Sequence, residues 1–272
     1  MKISVYYVDA FTQKLFSGNP AAVCPLDYWL DDQMLQKIAL ENNLATTAFF
    51  VKSGNKYEIR WFTPKKEVSF CGNSTLASAF VLFNFIEKSS SKISFIYRGD
   101  TIVVTRGDNE LLSLSFPASM PRLGHYSPLF DLAFGMDPLK VLQSGENYIL
   151  IYESEEVVKN LKIKREVLPR LNMQGIYITA KGDECDFVFR FFAPNSGIKG
   201  DSYSKSVCSE IAPFWSEVLN KKRLVSHQLS QRGSEIICEI DNGIVNIQGK
   251  SVLCMQGIMY IELESEVQVA VA

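Results

Sequence analysis

The chain has 272 residues with 28 basic and 30 acidic side chains, which suits one large domain or two domains of about 100–150 residues with a substantial core. Because no segment concentrates lysine or arginine, nucleic acid is not an expected partner. No stretch reaches the roughly 18 apolar residues of a membrane span and the start lacks the apolar run of a signal peptide, so we expect a soluble, cytoplasmic protein with no membrane partner.

The first part of the chain predicts strands and two helices. The opening residues "MKISVYYVDAF" alternate as a strand does, and 31–43 predicts a helix that begins with an aspartate cap. A hairpin is expected over 47–62, where two strand-like runs flank a Ser-Gly-Asn turn. The segment 74–88 is almost wholly apolar and therefore predicts a buried helix.

The middle of the chain predicts three strands and a connection. The strands are expected over 94–117, separated by turns that contain Arg-Gly-Asp. The proline-spaced segment 116–128 is interpreted as the crossing into a second half. Short helices are expected within 136–172, one around "DPLKVL" and others further on.

The last part repeats the pattern of the first. A second hairpin is expected over 175–192, and a helix over 204–222 that Pro213 kinks. Up to four further strands are expected over 234–263.

An internal repeat relates the two hairpins. "YEIRWFTP" at 57–64 matches "FVFRFFAP" at 187–194, close to half the chain length further on. The seventh residue after each proline is Cys71 in the first copy and Asp201 in the second, and a serine follows three residues later in both. The repeated unit is therefore a hairpin, a loop and a central helix, which predicts two β-rich halves that each surround one helix.

The repeat places two helix N-termini where they can face each other across a cleft between the halves. A helix start presents unpaired N–H groups and the positive end of the helix dipole, so it binds carboxylate or phosphate. Gly72 allows a ligand to approach the backbone closely. The same position lowers the pKa of a thiol, so Cys71 is a candidate acid or base, with Asp201 opposite. The alternative is a glycine turn, a helix capped by Ser74 and an ordinary buried thiol.

The cysteines and histidines argue against metal and cofactor sites. The six cysteines stand far apart with no C-x-x-C pair, which is typical of reduced thiols. His125 and His227 have no metal-binding spacing, and no glycine-rich nucleotide loop is found. We therefore expect no metal and no cofactor, with the chemistry done by side chains and backbone.

Three segments together resemble the PhzF family of phenazine-biosynthesis-type isomerases, which is related in fold to diaminopimelate epimerase. They are "VDAF…FSGNPAAV", "RWFTPKKEVSFCGN" and "RFFAPNSGIKGDSYSKS". The resemblance implies an α+β fold of two pseudo-symmetric β-barrel-like halves, each around a central helix, with a cofactor-free active cleft between them and a homodimer. We expect the first half to span 1–117, completed by 259–272, and the second 118–258.

The chain departs from the family pattern at positions that matter for catalysis. The family has a proton-moving glutamate after the first helix, and Thr46 occupies that place here. A hydroxyl with no adjacent base does not replace a carboxylate near neutral pH, and Glu41, within the helix, is expected to face solvent. Lys205 replaces a glycine at the second helix start, where it could bind an acidic substrate or fill the pocket. Ser204 matches the second catalytic cysteine of the epimerase.

The sequence thus predicts a cofactor-independent isomerase or cyclase with non-standard catalytic residues, acting on a small carboxylated metabolite by isomerisation, epimerisation or cyclisation, in biosynthesis. The alternative is an inactive ligand-binding or dimeric partner protein with the same fold. The catalytic candidates are Cys71, Asp201, Tyr203 and Thr46, and the substrate-binding candidates are Asn19, Gly72, Asn73, Ser74, Ser204, Lys205 and Ser206.

Overall fold

The computed structural model describes residues 1–194 and 207–262, which form strands and five α-helices. The helices are α1 (Asp32–Asn42), α2 (Gly72–Val81), α3 (Leu129–Phe134), α4 (Glu155–Asn160) and α5 (Val207–Leu219). The strands are β1 (Lys2–Ala10), β2 (Asn19–Leu26), β3 (Thr46–Ser53), β4 (Lys56–Phe62), β5 (Glu67–Val68), β6 (Lys92–Tyr97), β7 (Asp100–Arg106), β8 (Leu112–Pro117), β9 (Arg122–Leu123), β10 (Lys140–Ser144), β11 (Asn147–Ile151), β12 (Gly175–Lys181), β13 (Phe187–Phe192), β14 (Arg223–Gln228), β15 (Ser234–Asp241), β16 (Ile244–Gly249) and β17 (Ser251–Tyr260).

All of these strands belong to one hydrogen-bonded sheet that has two parts of the same design. In the first part the strand order is β17, β1, β2, β3, β4, β6, β7, β8, and the short β5 adds to the end of β4. In the second part the strands follow from β9 to β16 in chain order. The two parts are joined because β8 pairs with β16 in antiparallel register.

The parallel pairs show that the two parts are related by pseudo-symmetry. In the first part β2 is parallel to β3 and β4 to β6, and in the second part β11 is parallel to β12 and β13 to β14. The remaining neighbours are antiparallel, including both predicted hairpins, β3–β4 and β12–β13. Helix α2 packs inside the first part and α5 packs against β14, β15 and β16. The predicted α+β fold of two halves around central helices is confirmed.

Helix α1 forms where the sequence predicts it. The side chain of Asp31 accepts a hydrogen bond of 2.8 Å from the backbone N–H of Met34, which caps the helix. The helix ends at Asn43, whose φ of 47° breaks the helical path. Leu35 and Ile38 are buried against β2 and β3, so the apolar face of α1 covers the outside of the first half.

Helix α2 begins two residues earlier than predicted, and its cap is not Ser74. Cys71 is extended, with φ −147° and ψ 106°, so it is the N-cap, and Ser74 lies inside the first turn. The helix ends at Val81 and continues as a π-helical turn over Leu82–Ile86. The alternative interpretation of a helix capped by Ser74 is wrong about the cap, because the chain already turns at Gly72, which puts the Ser74 hydroxyl within the helix and not ahead of it.

The segment "DPLKVL" contains a strand, not the predicted helix. Its residues from Lys140 onward belong to β10, where Val141 and Leu142 are buried and pair with β11. Gly145, with φ 56°, then makes the tight turn into β11. Pairing with two neighbouring strands outweighs the weak local preference of so short a segment.

The last described strand returns to the first half. β17 pairs with β1 from Ser251 to Tyr260, so this pairing begins before the segment 259–272 that the sequence assigns to the first half. The division of the chain at 117/118 and 258/259 stays a prediction. Within the described ranges, none of the helices combines the length and apolarity needed to cross a membrane.

An ion pair between a buried carboxylate and a partly exposed guanidinium joins the two halves. Asp9, at the end of β1, has a side chain that is 2% exposed and lies 2.6 Å from the guanidinium of Arg232 in the second half. The other Asp9 oxygen accepts the N–H of Phe16 at 2.9 Å. Arg232 also donates to the carbonyls of Ser17 and Gly18 at 3.1 and 3.0 Å. The loop before β2 is therefore held against the loop before β15.

We predict that Arg232→Ala lowers the free energy of unfolding by about 3 kcal/mol, because it leaves the Asp9 carboxylate buried without its cation. Lys222→Ala is the matched control, since Lys222 and Asp241 are both exposed and 3.7 Å apart. Its loss should stay below about 1 kcal/mol. Urea unfolding measures both, and equal losses would contradict the structural role of the Asp9 pair.

Candidate active site

The start of α2 is open to a ligand because no side chain caps it. The first helical hydrogen bond runs from the N–H of Thr75 to the carbonyl of Cys71 at 3.0 Å, and the Thr75 hydroxyl donates to the same carbonyl at 2.7 Å. The N–H groups before Thr75, from Gly72 to Ser74, have no partner within a helix of this geometry. N–H groups of this kind, together with the positive end of a helix dipole, can bind an anion.

Three of the predicted site residues form one buried hydrogen-bonded cluster. The Cys71 sulfur lies 3.2 Å from the Ser74 hydroxyl and 3.5 Å from the Thr46 hydroxyl, and the two hydroxyls are hydrogen-bonded to each other. The exposed fractions are 1% for Cys71, 2% for Thr46 and 0% for Ser74. Among the described residues, no carboxylate, imidazole or amine bonds to this cluster. Cys71 is therefore its only ionisable member.

Thr46 reaches this cluster because β3 begins beside the start of α2. The strand lies between β2 and β4, and its first residue points inward at the open end of the helix. The position where the family has its glutamate is therefore in direct contact with the helix start. Glu41 is the carboxylate residue that precedes this segment in the chain. It is exposed on α1 and does not replace the glutamate that the resemblance implies at position 46.

Asn73 differs from its neighbours because its side chain does not join this hydrogen-bonded cluster. It is 6% exposed, and no hydrogen bond of its amide is found within residues 1–194 and 207–262. Asn73 and Gly72 line a cavity of about 20 Å³ between the halves, which is room for a water molecule or one small group of a ligand. The other lining residues are Phe11, Leu114, Phe116, Cys208, Ile236 and Ile247.

The beginning of α5 reaches the same cavity. Cys208, the second residue of the described helix, lines it opposite Gly72 and Asn73. Burial, together with the neighbouring Cys208 thiol, raises the pKa of the Cys238 thiol well above its ordinary value. Cys238 is therefore a protonated core residue near neutral pH. The site candidates of the second helix start, namely Asp201, Tyr203, Ser204, Lys205 and Ser206, lie outside the described residues.

Asn19 joins the two halves through a side-chain hydrogen bond. It begins β2, is 4% exposed, and donates from its amide to the side-chain oxygen of Gln228 at 3.3 Å. Gln228 ends β14, so this hydrogen bond crosses between the halves next to the Asp9–Arg232 pair. Asn19 does not line the cavity, and its role in substrate binding stays a prediction.

A second hydrogen-bonded network, formed by Tyr7, Asn42 and Thr47, holds the residue that follows Thr46. The amide of Asn42 donates to the Thr47 hydroxyl at 3.2 Å and accepts from the Tyr7 hydroxyl at 3.1 Å. Burial raises the pKa of the nearby Cys24 thiol to about 12, although a hydrogen bond with Asn42 opposes the shift. These groups stay neutral near pH 7, so they fix the start of β3 without adding charge to the site.

Sequence reasoning missed the apolar lining of the cavity. Leu114 and Ile247 stand opposite each other in the β8–β16 pairing, which joins segments far apart in the chain. Phe11 lies in the "VDAF" segment, so its position beside the "SGNP" loop was the one signal that could have indicated it.

Two pseudo-symmetric halves meet at a cavity that is lined by the first residues of α2 and by Cys208 of α5, which defines an α+β protein with a candidate site between its halves. A family model described as "Phenazine biosynthesis-like protein", PhzC-PhzF, matches residues 8–257. The chain therefore belongs to the PhzC-PhzF family, and the family prediction is confirmed.

Relatives and solved structures agree with this assignment over nearly the whole chain. A Pseudomonas aeruginosa protein described as an uncharacterized isomerase is 40% identical over 94% of this chain and 98% of its own length. The crystal structure of a PhzF family protein from Enterococcus faecalis is 36% identical, covers 96% of this chain and 100% of its own, and has a TM-score of 0.92. A PhzC/PhzF protein from Clostridium difficile is 43% identical with a TM-score of 0.89, over 95% and 100% of the two chains.

We predict that Asn73→Leu changes the free energy of unfolding by less than about 1 kcal/mol, because the Asn73 amide has no hydrogen bond to another described residue that the substitution would remove. Asn42→Leu is the matched control: it deletes the partner of both Tyr7 and Thr47 and should cost about 2–3 kcal/mol. Urea unfolding of the two variants measures the difference. A loss at Asn73 as large as at Asn42 would show that Asn73 has a structural and not a ligand-binding role.

Proposed function

We propose that the chain is a cofactor-independent isomerase that binds the carboxylate of a small metabolite at the start of α2 and moves a proton on it. The observation that carries this proposal is the Asn73 side chain, which is 6% exposed, has no hydrogen bond to another described residue and lines the cavity beside an uncapped helix start. A ligand carboxylate there would accept hydrogen bonds from the N–H groups of residues 72–74 and from the Asn73 amide. Family membership supports the isomerase class.

The same donors suit the chemistry of an isomerase. When a proton leaves the carbon next to a carboxylate, negative charge develops on the carboxylate oxygens. Fixed N–H groups in a site that excludes water stabilise that charge more than water does. The start of α2 is therefore proposed both to bind the acid and to stabilise the enolate-like state in isomerisation or epimerisation. In a cyclisation it would orient the reacting groups.

The proton-moving group is proposed to differ from the family's glutamate. Thr46 cannot act as a base near neutral pH, but its hydroxyl and that of Ser74 contact the Cys71 sulfur. Cys71 is therefore the proposed acid/base among the described residues. Asp201 and Tyr203 are proposed on the sequence alone, as the partners from the second helix start, with Ser204, Lys205 and Ser206 binding substrate.

A second candidate function is a ligand-binding protein without catalysis. It is favoured by one observation: the position of the family's glutamate holds Thr46, whose hydrogen bonds are to a hydroxyl and a thiol only. Such a protein would bind the same acids at Asn73 but exchange no proton.

Deuterium wash-in separates the two functions. The protein is incubated in heavy water with a panel of amino and hydroxy acids, and mass spectrometry records label at carbon and any cyclised product. We expect label or product with at least one acid that raises the melting temperature, and its loss in Cys71→Ser or Asp201→Ala. If acids raise the melting temperature but gain no label and form no product, the chain is a binding protein.

Restoring the family's carboxylate tests the role of position 46. We predict that Thr46→Glu increases the deuterium exchange rate on the order of 10²–10⁴-fold, because a general base is added beside the anion site. Thr46→Gln is the control, since it has the same size without the charge. Both variants should lose about 1–3 kcal/mol of stability, because Thr46 is 2% exposed and has little room. Equal exchange in both variants would contradict the proposed reaction.

Assembly and location follow from the family resemblance. We propose a homodimer that acts in biosynthesis in the cytoplasm. Sedimentation velocity gives the assembly state directly: a mass near twice the 30.7 kDa of the chain supports the dimer, and a mass equal to one chain contradicts it.

A further inference from the structure

Phe11 lies at the junction of two cavities that have different chemistry. Its side chain, 3% exposed, lines the inner cavity together with Gly72 and Asn73. It also lines a surface groove of about 260 Å³, whose lining includes the charged residues Lys14, Lys250 and Glu235. Phe11 is therefore shared by a charged surface groove and the apolar cavity beside the start of α2.

The backbone of Phe11 is held in a conformation that bulky residues rarely adopt. Its φ is 60°, in the left-handed region. Its carbonyl accepts the N–H of Glu235 at 3.0 Å, and the N–H of the next residue, Thr12, donates to the carbonyl of Lys250 at 3.0 Å. Both partners belong to the second half. Such a backbone persists only where its surroundings determine it, and here both halves fix where the ring points.

Gly249 packs directly against the ring of Phe11. A Cβ atom on this residue would lie 2.3 Å from Cδ1 of Phe11, so the ring occupies the space that any other residue would need. Gly249 ends β16 and also lines the surface groove. The ring is thus fixed from one side by a glycine and from the other by its own backbone.

We propose that Phe11 is a specificity-determining residue: its ring closes the inner cavity from the surface groove and so limits the length of the acid that the site accepts. An acid whose carboxylate binds at Gly72 and Asn73 would direct its hydrocarbon body towards this ring. The space of about 20 Å³ holds one small group of the acid, so a longer body would need the groove beyond Phe11. The proposal rests on the proposed function, but its first test does not.

The first test uses the cysteines as reporters. Cys208 lines the inner cavity and is 1% exposed, Cys24 is buried elsewhere, and Cys254 is exposed. Iodoacetamide labelling followed by mass spectrometry gives a rate for each thiol in the native protein. We expect Phe11→Ala to raise the Cys208 rate at least about tenfold while the Cys24 rate stays unchanged, because the opening is local.

Two further variants keep this test decisive. Gly249→Ala should expose Cys208 in the same way, since its Cβ displaces the ring without altering Phe11 itself. Phe16→Ala is the matched control, because Phe16 also has a positive φ, of 64°, but is 70% exposed and lines neither cavity. An unchanged Cys208 rate in both opening variants, or a parallel rise at Cys24, would overturn the proposal, since Phe11 would then only stabilise the fold.

The second test measures specificity. Straight-chain carboxylic acids from propionate to octanoate are titrated against the unaltered protein and Phe11→Leu, with the melting temperature as readout. We expect the preferred acid to become longer in the variant. The same preference in both proteins would contradict the role of Phe11 alone. If no acid changes the melting temperature of either protein, the proposed function is contradicted. The labelling result would still show whether the ring of Phe11 closes the inner cavity.

Discussion

Helix α2 contains no charged residue and is buried along almost its whole length, so the strands of the first half have to surround it. A helix enclosed in this way can be reached by a ligand only at an end. The first residues of α2, Gly72 and Asn73, line the cavity between the halves together with Cys208 of α5. The position of the proposed binding site follows from this burial.

The polar side chains at the N-terminal end of α2 differ in whether they have a hydrogen-bond partner. The side chains of Thr46, Cys71 and Ser74 bond to one another, whereas the Asn73 amide, in a residue that is 6% exposed, has no partner within the described parts of the chain. An amide N–H that no described residue accepts can donate to an acidic ligand. For this reason we propose that the anion site is centred on Asn73 and not on the thiol.

The sequence predicted the fold well because its signals are local and repeated. Alternating residues and a proline mark each hairpin, and the apolar run after Gly72 can only be a buried helix. The prediction was less accurate where long-range packing decides. The turn at Gly72 made Cys71 the cap in place of Ser74, and pairing with β11 turned "DPLKVL" into part of a strand. The cavity wall depends on the β8–β16 pairing, which no local pattern in the sequence indicates.

The central claim is that the start of α2 binds a carboxylate. A ¹⁵N-resolved NMR titration with an acid that raises the melting temperature tests it most directly. We expect the largest amide shifts at Gly72, Asn73 and Ser74, with loss of these shifts in Asn73→Leu. Shifts confined to the groove around Lys14 and Lys250, with the amides of residues 72–74 unmoved, would contradict the claim.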